Sequence, residues 1–106
     1  MEYVVVTTTK ETASDAYRIA EALVGRKLAA CVQVVGPIHS VYRWKGKVEN
    51  SVEYRCEIKT RADHFGTIEQ LINDIHPYEL PELIVLPIAR ASPQYAAWLE
   101  EHLNGE

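Results

Sequence analysis

Several features are scarce in this sequence of 106 residues. It has two cysteines, one phenylalanine and one methionine, and its 11 lysines and arginines are outnumbered by 15 aspartates and glutamates. The net charge is therefore −4. Binding to a phosphate backbone requires a basic face, so this balance argues against nucleic acid as the main partner. It leaves a cation open as a ligand.

Long apolar runs are also missing. No run approaches the roughly 20 residues that a membrane-spanning helix needs, so we expect no membrane partner. The first residues carry neither a basic region nor a long apolar region, and they predict no signal peptide. Cys31 and Cys56 form no CxxC pair and are expected to be free thiols. Together these features predict a cytoplasmic protein.

Local signatures of catalysis are missing as well. The sequence contains no GxSxG, HExxH, P-loop or GxGxxG pattern, so we expect the chain not to be an enzyme. The catalytic alternative is a nucleophile pair formed by Cys31 and His76, although nothing in the sequence shows that these two side chains meet.

The pattern of apolar residues divides the chain into seven segments. Runs of β-branched residues and period-two alternation indicate strands, and apolar residues at helical spacing indicate helices. The segments are a strand over 3–9, a helix over 13–24, strand character over 29–44, a return strand up to residue 60, a helix over 65–75, a strand over 83–86 and a helix opening after residue 92.

Caps and breakers mark the ends of these segments. Thr8 and Glu11 have the spacing of a capping box at the first helix, and Gly25 can take the left-handed conformation that ends it. Gly36-Pro37 predicts a bend, a bulge or an edge position, because proline cannot donate to a strand ladder. Ser92-Pro93 predicts an N-cap followed by a first-turn proline.

The order βαββαβ predicts a single α+β domain over residues 1–106. It matches the ferredoxin-like pattern, an antiparallel sheet with both main helices on one face, and it adds a C-terminal helix. We expect the apolar run 29–35 to be covered on both faces and the 83–86 strand to be buried.

The central hairpin, from about residue 29 to residue 60, is too long for such a domain. Its first strand, 29–44, would span roughly 50 Å at about 3.3 Å per residue. A domain of this size has a radius of gyration of about 13 Å. The distal part carries Val41, Tyr42, Trp44 and Val48. Exposed aromatic side chains on an unpaired hairpin favour aggregation, so we expect another subunit to cover them, in a head-to-tail ring.

Candidate metal ligands are few. Thiolates suit Cu(I), whereas imidazoles and carboxylates satisfy Cu(II), which makes Cys31, His39 and His76 the natural candidates. Their spacing matches no local metal motif. From the residues alone, free cysteines such as Cys31 and Cys56 are expected to be small buried hydrophobic residues more often than metal ligands. His76 could simply cap a helix C-terminus. The connector 75–82, which holds two prolines, is rigid and polar, as in a binding site or a stiff link to a partner.

Five elements of the sequence form a recognisable set: Ala29-Ala30-Cys31-Val32, Tyr42-Arg43-Trp44-Lys45-Gly46, Glu53, Ile58-Lys59-Thr60 and His76-Pro77-Tyr78-Glu79-Leu80-Pro81-Glu82. Through these elements the sequence closely resembles the CutA family of divalent-cation tolerance proteins, from the first strand to Trp98. The most specific part of the resemblance is the 76–82 element combined with the Trp-Lys-Gly turn.

The resemblance implies a ferredoxin-like homotrimer in which long hairpins reach neighbouring subunits and form intersubunit sheets. It implies a role in tolerance of copper and other divalent cations, with metal binding rather than a defined reaction. We therefore expect copper, as Cu(I) or Cu(II), or another divalent metal as ligand, held by Cys31 and His76, and no organic cofactor. The cleft between subunits would be lined by Tyr42, Trp44, Glu53, Lys59, Tyr78 and Glu82 in addition to Cys31 and His76.

A second hypothesis follows from the same resemblance, because the family trimer is similar to that of PII signalling proteins. In this case the cleft would bind a small anionic metabolite through Lys59, Arg43 or Lys45, and metal binding would be incidental. The sequence departs from the family pattern at Gln33, at Cys56, where an aliphatic residue is expected, and at Ala91. The added thiol of Cys56 is expected to complicate metal-binding assays.

Overall fold

The computed structural model describes residues 2–75 and 79–103 of the chain. The order of its elements confirms the predicted βαββαβ arrangement with an additional C-terminal helix. The elements are β1 (Tyr3–Lys10), α1 (Ala13–Gly25), β2 (Cys31–Trp44), β3 (Lys47–Arg61), a 3₁₀ turn (Ala62–His64), α2 (Phe65–Ile75), β4 (Ile84–Pro87) and α3 (Pro93–Glu101).

The four strands form one antiparallel sheet in the order β2-β3-β1-β4. In this order β2 and β4 are the two edges, and each of them pairs on one side only within the described residues. An edge strand presents unpaired backbone N–H and C=O groups, so both edges are available for pairing with another chain.

The core lies between the sheet and the helices α1 and α2. Side chains that alternate along β1 and β3 point into it, which is the period-two pattern expected of a half-covered sheet. The face of the sheet that carries them is called the helix face. The fully buried members of the hydrophobic core cluster are Val6, Cys56 and Ile58 from the sheet, Ala16, Ile19 and Leu23 from α1, and Ile68 and Ile72 from α2.

Helix α3 packs on the opposite side, which is called the α3 face. The Tyr3 hydroxyl donates to a Glu100 carboxylate oxygen, and Lys59 Nζ lies 3.4 Å from the Tyr95 hydroxyl. Tyr3 and Lys59 alternate with the core residues of their strands, so they point away from α1 and α2. Ser92 caps α3 through Tyr95 N, and Pro93 is its first residue, as predicted.

The hairpin formed by β2 and β3 makes the molecule elongated, with principal extents of 45 × 26 × 21 Å. Lys45 (φ 50°) and Gly46 (φ 80°) form its turn in the left-handed conformation, which matches the right-handed twist of the strands. A register shift between Val35 and Ile38 places a bulge at Gly36-Pro37. The long hairpin, its turn and its interruption are all as predicted.

The capping-box prediction for α1 is wrong. The N-cap is Thr12, whose hydroxyl accepts from Asp15 N at 3.1 Å. Strand β1 continues to Lys10, and Thr8 is fully buried opposite Cys56 in the sheet. Pairing with β3 therefore extends the strand past the residue that the local pattern favours as a cap.

The predicted end of α1 is also different. Gly25 belongs to the helix, and the left-handed residue is Lys27 (φ 59°). The backbone N–H groups of Leu28 and Ala29 donate to the carbonyl of Leu23, at 2.9 and 3.2 Å, and close the helix. Burial of Leu28 and Ala29 fixes where the chain turns back toward the sheet.

Two predictions of burial are wrong for the single chain. Strand β4 spans Ile84–Pro87, and all four of its residues are exposed, because it is an edge strand that α1 and α2 do not reach. Strand β2 is the other edge, and Val35 remains 38% exposed. The apolar runs at both edges therefore lack the cover that their composition predicts.

Candidate functional site

The bulge at Gly36-Pro37 decides which predicted site residues share a face. Before it, Cys31 pairs with Lys59 on the α3 face. After it, Ile38 pairs with Glu53, so the even-numbered residues of β2 change to the α3 face. One extra residue in a strand inverts the alternation beyond it. Cys31 and Tyr42 therefore lie on the same side of the sheet, although their numbers differ in parity.

The distal half of the hairpin borders an open groove of ≈1160 Å³. Its other walls are the junction between β1 and α1 and the segment that precedes β4. The structure therefore brings together four of the predicted cleft residues. The lining comprises Thr9, Glu11, Ser40, Val41, Tyr42, Arg43, Trp44, Ser51, Val52, Glu53, Glu79, Leu80 and Glu82.

The groove carries more negative than positive side chains. Arg43 is the cation of its lining, whereas Glu11, Glu53, Glu79 and Glu82 bring four carboxylates. Lys45 reaches the rim from the hairpin turn. Its ammonium lies 4.0 Å from Glu79 Oε1 and 5.8 Å from the centre of the Trp44 ring.

A second set of predicted residues lies at the root of the hairpin. Cys31 is partly buried and directly opposite Lys59. The Lys59 ammonium lies 5.5 Å from the centre of the Tyr95 ring, which stacks on Trp98 with a centroid distance of 5.5 Å. Lys59 is thus held against α3 and does not line the groove.

The two sets of residues are well separated. Lys59 and Glu53 are six positions apart along β3, which corresponds to roughly 20 Å at about 3.3 Å per residue. His39 pairs with Val52 near the groove and lies on the helix face, so it is not adjacent to Cys31. The predicted residues His76 and Tyr78 lie outside the described part of the chain.

Metal-ligating side chains do not cluster in the part of the chain that the structure describes. Within 2–75 and 79–103, no group of three or more His, Cys, Asp and Glu side chains is arranged to hold a metal ion. A complete metal site containing Cys31 therefore needs ligands from outside these ranges or from another subunit.

Cys56 is buried in the core and donates to the carbonyl of Ala16 at 3.5 Å. Burial raises the pKa of its thiol to about 11, and the nearby ammonium of Lys10 opposes this rise. Burial in turn lowers the pKa of Lys10, against the influence of Cys56 and Asp15. Because the thiolate is the form that binds metals, Cys56 is a poor competitor for metal at neutral pH.

Glu11 and Glu79 are groove residues that the sequence did not single out as ligands. Glu11 was interpreted as part of a capping box, and Glu79 as part of a rigid connector. The position of Glu11, just beyond the end of β1, is a usable signal, because polar residues that follow a strand collect at the edge of a sheet. Its proximity to the hairpin depends on the pairing of β1 with β3.

None of the helices in the described ranges is long and apolar enough to cross a membrane.

Comparison with known proteins gives consistent matches. A family model described as CutA1 divalent ion tolerance protein matches residues 4–102. The chain is 46% identical over 81 residues to "Protein CutA homolog" of Xenopus laevis, which is 76% of this chain and 54% of that protein. It thus spans about half the length of this relative. It is 39% identical over 101 residues to "Divalent-cation tolerance protein CutA" of Thermus thermophilus, covering 95% of this chain and 96% of that one.

Solved structures agree with the fold. The crystal structure of CutA1 from Oryza sativa superposes with a TM-score of 0.95 at 34% identity, covering 100% of this chain and 97% of that chain. A structure from Archaeoglobus fulgidus, described as a periplasmic divalent cation tolerance protein CutA, gives a TM-score of 0.91 at 31% identity, covering 96% and 99%.

Proposed function

This chain belongs to the family of CutA1 divalent ion tolerance proteins, and we propose that it acts as a homotrimer that binds copper or another divalent metal. In this proposal Cys31 and His76 are the metal ligands, and intersubunit sheets built on the long hairpin hold the trimer together. Metal binding by the trimer would contribute to tolerance of divalent cations.

The observation that carries the proposal is the uncovered apolar surface at both edges of the sheet. Val41 and Val48, in the distal hairpin, are 73% and 64% exposed. At the other edge Ile84 and Leu86 are 48% and 51% exposed. A β2 edge from one subunit and a β4 edge from the next would satisfy each other's backbone groups. A contact between two different patches forms a closed ring when the rotation between subunits is a whole fraction of a turn, which is one third in the proposed trimer.

Association of subunits also supports the metal assignment. Cys31 is partly buried on the α3 face, at the hairpin root, and a thiolate is the softest ligand the chain offers to Cu(I). Since the described ranges of one chain hold no complete cluster, a ring of subunits would supply several copies of each ligand around shared interfaces. Copper in this role is cargo and not a resident cofactor.

Calorimetry with copper tests the proposal on three variants. Cys31→Ser combined with His76→Ala should weaken copper binding by about tenfold or more, because both proposed ligands are removed. Cys56→Val is the matched control, and it should bind like the parent protein because its thiol is buried. Unchanged affinity in the double variant would show that the ligands are elsewhere.

We further propose that the protein is cytoplasmic and has a binding role, not a catalytic one. The support for a cytoplasmic location is that both cysteines are free, and free thiols persist in a reducing compartment. The alternative is a periplasmic location, as described for the family member from Archaeoglobus fulgidus. Fractionation of the source cells should place the protein with cytoplasmic markers; recovery with periplasmic markers would refute this part.

A second candidate function is supported by the groove. In a PII-like trimer it would bind a small molecule, and its volume of ≈1160 Å³ is sufficient for one. Of the three basic residues expected to bind an anion, Arg43 lines the groove, whereas Lys59 contacts Tyr95 and Lys45 lies beside Glu79. A thermal-shift screen of metals, nucleotides and carboxylates separates the two functions; stabilisation by metals alone would exclude the second.

A further inference from the structure

We draw no further inference here: the strongest candidate, the row of neighbouring rings that Tyr95, Trp98 and His102 form along the exposed side of α3, is an unpartnered helix face, and nothing in the described part of the chain shows what covers it.

Discussion

Two buried threonines show how much the partner of a single hydroxyl matters. Thr8 and Thr60 are both fully buried in the sheet. The Thr60 hydroxyl donates to the carbonyl of Leu28 at 2.6 Å, whereas Thr8 Oγ1 is buried without a hydrogen-bond partner in the described structure. An unpaired buried hydroxyl costs desolvation free energy that no bond offsets.

Thr8→Val should therefore raise the free energy of unfolding by about 1 kcal/mol, because it removes the unpaired hydroxyl and keeps the side-chain shape. Thr60→Val, the matched substitution, should lower it by about 1–3 kcal/mol, because the Leu28 carbonyl loses its donor. Urea unfolding of the two variants and the parent measures both changes. Destabilisation by Thr8→Val would mean that its hydroxyl is paired in solution.

The buried thiol of Cys56 links stability to pH. Its folded-state pKa, about 11, lies above its ordinary value of 9.0. The neutral thiol is thus favoured in the fold, and its contribution is complete below pH 9 and lost as the pH rises from 9 through 11. Lys10, with a pKa below its ordinary value, has the opposite trend, since its burial penalty disappears as it loses its proton.

The parent protein should lose up to about 2–3 kcal/mol of stability between pH 9 and 11 relative to Cys56→Val, because a shift of one pKa unit corresponds to about 1.4 kcal/mol. Denaturant titrations at half-unit steps of pH measure the difference between the two proteins. Cys31→Ser serves as the control and should keep the alkaline loss. Parallel curves for the parent and Cys56→Val would refute a buried, protonated thiol.

At the scale of elements, the bulge in β2 is the feature with the widest consequences. A Cβ atom added at Gly36 would lie 2.4 Å from Tyr54 Cδ2, well inside contact distance. Tyr54 packs against the core cluster, so its ring cannot simply turn away. Glycine at this position allows β2 and β3 to approach closely while the alternation of β2 is inverted.

Gly36→Ala should destabilise the protein by about 1–3 kcal/mol, the usual cost of forcing an extra carbon into a packed region. Gly25→Ala is the control. It lies within α1 with no atom within 4 Å of the added carbon, and it should be neutral or stabilising by up to about 1 kcal/mol. Thermal unfolding measures both. If Tyr54→Ala does not reduce the cost of Gly36→Ala in the double variant, the clash is not its cause.

At the level of the whole molecule, the main feature is that both edges of the sheet are uncovered in the single chain. Both expose apolar side chains next to unpaired backbone groups, and the hairpin extends beyond the core that α1 and α2 cover. Such edges are hazards for aggregation unless another chain pairs with them. The proposed trimer follows from this geometry together with the family resemblance.

Light scattering at micromolar concentration should give a mass of about three times the 12.0 kDa of the chain. Leu86→Lys should reduce it, because it places a charge on the exposed face of β4 that the proposed contact buries. Val24→Lys is the control, since Val24 is similarly exposed, at 43%, but belongs to α1 and not to either edge strand. A single-chain mass for the parent protein would overturn the trimer.

The order of elements, the long hairpin with its turn and interruption, and the N-cap of α3 could be predicted because each depends on residues that are near one another in sequence. The 3.6 and 2.0 periodicities, proline and the Lys45-Gly46 turn are local signals. The burial of Ile68 and Ile72 on α2 followed from the same periodicity. The family assignment also depended on short contiguous motifs, such as the Trp-Lys-Gly turn.

Only the tertiary structure decided which of these residues meet. The bulge places Cys31 and Tyr42 on one face, and the strand register separates Lys59 from Glu53 by roughly 20 Å. Pairing with β3 moves the cap of α1 from Thr8 to Thr12 and brings Glu11 to the groove. The physical reason is that register and burial are set by contacts between distant segments. A sequence pattern gives the face of a strand or helix toward which a side chain points, and the packed sheet determines which residue lies opposite it.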